Sequence, residues 1–161
     1  MADITHGTWI KDGKAVDAAY QDGVKVYSRN LLLQTADNVT TVGNNTVGQK
    51  LADYRLSAQF CSLPVGTQVT LSFNVDVTNA DSGVIYIGFS VPRWLPFVYR
   101  IAFSEGHNRF YYTFYLISDY LSDNIIHLSL DNSKAKYVVS SVKLETGNAA
   151  TTYSAAPEDV M

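Results

Sequence analysis

Hydrophobic and polar residues alternate along much of this chain. From Gln68 to Val77, Val69, Leu71, Phe73, Val75 and Val77 fall on one side. Thr70, Ser72, Asn74 and Asp76 fall on the other. A period of two with one apolar face marks an antiparallel strand half covered by a core. Tyr54 to Phe60 repeats the pattern with Tyr54, Leu56, Ala58 and Phe60. Val84 to Val91 is apolar on both faces, which predicts a central strand covered on both sides. Val98 to Phe103, Arg109 to Ile117, Ile125 to Leu130 and Tyr137 to Glu145 complete the set. Turn-forming clusters at Pro64-Val65-Gly66, Asn79 to Gly83, Glu105 to Asn108, Asp119 to Asn124 and Asp131-Asn132-Ser133 separate them.

Ahead of this body, Gly7 to Lys11, Lys14 to Tyr20 and Val24 to Ser28 are short segments joined by Asp12-Gly13 and Asp22-Gly23. Asp-Gly supplies the two positive-φ residues of a type I′ turn, so residues 1–28 read as a small three-stranded meander. Three short strands are marginal alone, so the meander is expected to pack on the body or on a neighbouring subunit, with Trp9 as the glue. No window of a dozen residues carries a helical stripe; Val47 to Tyr54 has room for one short helical turn. No internal repeat is visible, which argues against a propeller or solenoid. The expected fold is therefore all-β: an antiparallel β-sandwich over residues 29–148, preceded by the meander and followed by an extended, partly mobile tail over 149–161.

Composition narrows the function. The 161 residues suffice for one domain with a sizeable core. Eleven tyrosines dominate the aromatics, and charged residues make up only 17% of the chain, below the usual quarter, which suggests a polar, uncharged surface. The net charge of −3 and the scattered Lys and Arg give no basic field for nucleic acid. The start, Met1 to His6, lacks the basic and apolar regions of a signal peptide. No apolar run approaches the roughly 20 residues that span a bilayer, so membrane insertion is not expected.

Catalytic motifs are missing. His6, His107 and His127 do not stand at i, i+4 to one another, and there is neither a G-x-S-x-G elbow nor a phosphate-cradling glycine loop. Asp119 and Asp123 fall in a turn-like segment where Asp serves turn geometry. Cys61 is the single cysteine, which rules out an intrachain disulfide, and it reads as a semi-buried small residue. No cofactor is indicated. A structural calcium could draw on Asp37 or Glu145, although no stretch has acids at alternate positions; otherwise Glu145 reads as a solvated charge at a strand end.

The clearer signal is a pattern of faces. If Phe110, Tyr112, Phe114 and Leu116 form core, then Tyr111 and Tyr115 point away from it. If Tyr99, Ile101 and Phe103 form core, Arg100 lies opposite. His127 lies opposite Ile126 and Leu128, and Tyr86 opposite Ile85 and Ile87. Were these strands to share a sheet, its outer face would carry Tyr86, Arg100, Tyr111, Tyr115 and His127. Flat aromatic faces cover the C–H faces of sugars, and Arg and His bond their hydroxyls, so this is the make-up of a carbohydrate site. Exposed tyrosines can also simply pair across strands. Trp94, on a loop stiffened by Pro92 and Pro96, is a second stacking platform.

Two segments carry a family resemblance. Ser28-Arg29-Asn30-Leu31-Leu32-Leu33 resembles the "RN-L-L" first strand of jelly-roll carbohydrate-binding modules in bacteriophage tail and baseplate proteins. Val142-Lys143-Leu144-Glu145-Thr146-Gly147-Asn148, with Ala150-Thr151 and then Pro157-Glu158-Asp159, resembles their closing "KLE-x-G-N-x-A-T" strand and Pro-Glu-Asp tail. The resemblance implies a jelly roll and a non-catalytic adhesion module of a virion tail or baseplate, made in the host cytoplasm. It further implies cell-surface polysaccharide, other virion tail proteins and copies of itself as partners. The matching residues are strand ends and turns, not ligand contacts. Two rivals stand beside this reading: a virion protein that uses the sandwich only for assembly, and a polysaccharide-degrading enzyme with carboxylates outside any motif.

Overall fold

The computed structural model describes residues 3–5, 7–90 and 92–161. Its N-terminal strands are β1 (Asp3–Thr5), β2 (Thr8–Lys11), β3 (Lys14–Ala15), β4 (Ala18–Gln21) and β5 (Val24–Ser28). The body follows with β6 (Leu32–Leu33), β7 (Val39–Val42), β8 (Gln49–Leu56), β9 (Gln68–Thr78), β10 (Val84–Phe89), β11 (Leu95–Ile101), β12 (Gly106–Tyr115), β13 (Ile125–Asp131) and β14 (Lys136–Thr146). Three single helical turns interrupt them: α1 (Ala58–Cys61), α2 (Ser118–Leu121) and α3 (Pro157–Val160). No described helix is long and apolar enough to cross a membrane.

The strands of the body form two antiparallel sheets, ordered β11-β10-β13-β8-β6 and β12-β9-β14-β7. Within them β7 pairs with β14, β8 with β13, β9 with β12 and β10 with β11. That nested pairing is one long hairpin rolled into two sheets, the jelly roll. The apolar faces meet between the sheets. Val69, Leu71, Phe73, Val75 and Val77 of β9 are buried, as are Ile85, Ile87 and Phe89 of β10 and Ile126, Leu128 and Leu130 of β13. In β14 the apolar positions change parity, from Tyr137 and Val139 to Val142 and Leu144. A bulge between Ser140 and Lys143, with Ser141 at φ 53°, restores the phase so that all four point inward.

Several expectations change. The meander is two units: β1-β2-β3, and a separate β4-β5 hairpin. The long middle segment breaks at Val16-Asp17, where the Val16 amide bonds the Trp9 carbonyl and the Asp17 carbonyl accepts from Arg29. Both Asp-Gly pairs do form positive-φ turns. The segment from Val47 onward forms strand β8 and not a helical turn, because its alternating Leu51/Ala52, Tyr54 and Leu56 pack inward. Strand β10 is central, but Val84 and Tyr86 on its outer face are only half covered. The expected end of that strand at Val91, like His6, lies outside the described residues. Cys61 is exposed, because its neighbour Phe60 takes the core-facing side of α1.

The tail is packed rather than mobile. Thr151, Ser154, Ala155, Ala156 and Pro157 are buried over the outer face of the β12-β9-β14-β7 sheet. There the Thr8 hydroxyl donates to the Ala155 carbonyl at 2.5 Å. Trp9 stacks on Tyr27 with ring centroids 5.6 Å apart, and the Lys143 ammonium lies 5.3 Å from the Tyr27 ring centre. Glu145 is fully buried, not a solvated charge.

Candidate functional site

The outer face of the other sheet is built from cross-strand rows. Asp53 of β8 stands opposite His127 of β13, which stands opposite Gly88 of β10, which in turn faces Pro96 of β11. The next row holds Lys50, Ser129 and Tyr86. Directly opposed residues project to the same face, so each row gathers side chains far apart in sequence.

Gly88 shapes this face. A Cβ there would lie 2.7 Å from the Leu95 carbonyl oxygen and from Pro96 Cα. Without it, the start of β11 leans over the sheet and carries Trp94 toward the His127 ring, with centroids 6.2 Å apart at 59°. Trp94 is still 44% exposed. On the facing wall, Asp131 Oδ1 accepts the Gly48 amide at 2.6 Å and the Thr46 carbonyl accepts the Asn132 amide at 2.9 Å. These bonds hold the loop before β8 against the end of β13. Between the walls lies an open cleft of about 500 Å³, lined by Val47, Gly48, Tyr86, Trp94, Ser129 and Asp131. Its size is that of small-molecule clefts in general.

Beside the cleft runs a chain of hydrogen bonds. His127 Nδ1 lies 3.0 Å from Asp53 Oδ1, and His127 Nε2 lies 3.0 Å from Ser90 Oγ. The Ser90 amide donates to Asp123 Oδ2 at 2.7 Å, with Ser90 Oγ 3.3 Å from the same oxygen. The other Asp123 oxygen accepts the amides of Asn124 and Ile125, so this acid is fixed in its turn. Asp119, the other acid of that turn-like segment, lies half-buried in α2. The order Ser90–His127–Asp53 follows the connectivity of an acyl-transfer triad. Here, however, the serine amide that could bind an oxyanion is already bonded to a carboxylate, and that carboxylate borders Oγ.

The proposed set of site residues divides. Trp94, His127 and Tyr86 come together at the cleft. Tyr111 and Tyr115 belong to β12 in the opposite sheet, so the shared face does not exist. Tyr115 is 63% exposed and accepts a bond from Gln68 Nε2 at 3.3 Å. Arg100 does lie in the sheet with Tyr86 and His127. The β10–β11 register shifts between Ile87↔Val98 and Ile85↔Ile101, which leaves Tyr99 and Arg100 of β11 against the single Tyr86 of β10. This bulge turns Tyr99 outward together with Arg100, and Tyr99 is 68% exposed instead of core. Arg100 lines a separate cleft of about 300 Å³ with Asp81, Gly83, Val84 and Phe103. Asp53, Ser90, Ser129 and Asp131 were not singled out, because their meeting depends on register. The polar alternation of β13, with His127 and Ser129 between Ile126, Leu128 and Leu130, was the one available hint.

Neither a protein-family model nor a curated protein matches the chain. Among solved structures, the carbohydrate-binding module of "CBM4 structure and function" is 11% identical with a TM-score of 0.48, over 91% of this chain and 78% of that one. The tripod (BppUct-A-L) from the baseplate of bacteriophage Tuc2009 is 17% identical with a TM-score of 0.51. That match covers 83% of this chain and spans 60% of the tripod chain.

Proposed function

We propose that this protein is a non-catalytic carbohydrate-binding module of a phage tail or baseplate that attaches the virion to host cell-wall polysaccharide. The observation that carries this reading is Trp94, half exposed and held at the mouth of a cleft whose other lining groups include Tyr86, Ser129 and Asp131. An indole covers the apolar face of a pyranose, and hydroxyl and carboxylate groups around it bond the sugar's rim. The fold shared with a phage baseplate protein supports the setting.

The test is saturation binding of fluorescently labelled protein to intact cells and to isolated wall polysaccharide, beside Trp94→Ala. Saturable binding that Trp94→Ala abolishes is the expected result. Absence of binding to every wall preparation overturns the reading.

A second reading rests on Tyr99, Tyr111 and Tyr115, each more than 60% exposed on β11 and β12. These strands end their sheets on the same side of the sandwich, where Phe97 stacks on Phe114 at 4.1 Å. An aromatic edge of this kind suits contact with another virion subunit or with a second copy. Sedimentation analysis of the wild type beside Tyr99→Ser/Tyr111→Ser separates the two readings. Dissociation of an oligomer in the variant favours assembly.

A further inference from the structure

Both ring nitrogens of His127 are already engaged, by Asp53 on one side and Ser90 on the other. An imidazole so held has no nitrogen free to meet a sugar hydroxyl. Its Nδ1 proton is directed to the Asp53 carboxylate, so in the neutral ring Nε2 is an acceptor for the Ser90 hydroxyl. In the charged ring, Nε2–H donates to Ser90 Oγ, and that hydroxyl turns to Asp123 Oδ2 at 3.3 Å. The chain of bonds is complete in both states, which pins the ring in either.

We infer that His127 is a positioning residue: the relay Asp53–His127–Ser90–Asp123 is the floor on which Trp94 rests, and the ligand contacts are Trp94, Tyr86, Ser129 and Asp131. The indole sits against the pinned ring from one side. The missing side chain at Gly88 brings the indole's strand close from the other. A stacking platform fixed before binding loses little freedom when the ligand arrives. The groups that face His127 are Asp53 from β8, Ser90 after β10, Trp94 from the following loop, and Asp123 through Ser90. This assignment rests on the carbohydrate reading for the ligand, but the pose of Trp94 is measurable without one.

The test uses the intact protein carrying Trp9→Phe, so that Trp94 is the single tryptophan, excited selectively over the tyrosines. His127→Ala and Ser90→Ala are expected to shift Trp94 emission toward that of a freer indole and to weaken wall-polysaccharide binding by about tenfold or more. Ser90→Thr, which keeps the hydroxyl, restores both. His107→Gln, in the opposite sheet, leaves both unchanged. Unchanged emission in His127→Ala overturns the assignment, whether or not binding is lost. If the wild type binds no wall polysaccharide while the emission results hold, the carbohydrate reading fails and the relay stands.

Discussion

Thr151 gives both of its donors to Glu145, the hydroxyl at 2.8 Å and the amide at 3.1 Å. The same hydroxyl accepts from the Lys143 ammonium at 2.9 Å. All three residues belong to the closing segment that resembles phage carbohydrate modules. Their work is to bind the tail to β14 across the sheet face remote from the cleft. Thr151→Val keeps the shape and removes the hydroxyl, leaving two buried charged groups each short of one bond. We expect a loss of about 2 kcal/mol, read from urea unfolding, with the fold retained.

Burial pushes the Lys143 ammonium down to about 8, although Glu145 pulls it the other way. The unfolded lysine titrates near 10.4. Between those values the unfolded chain holds more protons than the folded one, so stability rises with pH. Urea unfolding at about pH 7.5 and 9.5 should show a gain of about 1 kcal/mol, since the full linkage of about 2 kcal/mol is reduced by relaxation around the charge. Above that range the buried tyrosines, raised by burial, act in the opposite sense. Lys143→Met flattens the rise. An equal rise in that variant would show that another group is responsible.

Gly88→Ala forces a methyl to within 2.7 Å of the β11 backbone. The strand must move outward, and the Trp94 loop moves with it. Stability should fall by about 1–3 kcal/mol, the usual range for overpacking. Polysaccharide binding, measured well below the unfolding transition, should fall much further than the population of folded protein accounts for.

Tyr111→Ala/Tyr115→Ala alters the other sheet. Binding to wall polysaccharide should remain within about twofold of wild type, since exposed substitutions of this kind rarely reach beyond their neighbours. A strong loss would place the ligand on the tyrosine edge and remove the cleft from consideration.

The architecture was legible because alternation in β9 and β13 is strong and Asp-Gly turns have little conformational choice. The faces were harder to read. Parity is reliable only while a strand stays in register, and the bulge in β11 turned Tyr99 outward against its pattern. Which strands share a sheet follows from long-range pairing, so Tyr111 and Tyr115 could not be separated from His127 by inspection. Glu145 reads as a solvated charge, and Thr70 and Ser72 as the uncovered side of β9, because nothing local says that the tail will return to cover them. Asn30 shows the same limit. Its side chain reaches Thr35, Val142 and Ser154 as donor and Leu32 and Leu144 as acceptor, a hub whose importance appears only once the ends meet.

That closure has a kinetic consequence. Thr8 finds its partner 147 residues later, and Asn30 finds three of its own 112 to 124 residues later. During synthesis the early hairpins therefore wait, with Tyr27 and the Asn30 amide uncovered, until β14 and the tail have left the ribosome. A fold dominated by such distant pairings is assembled slowly, on the order of milliseconds to seconds.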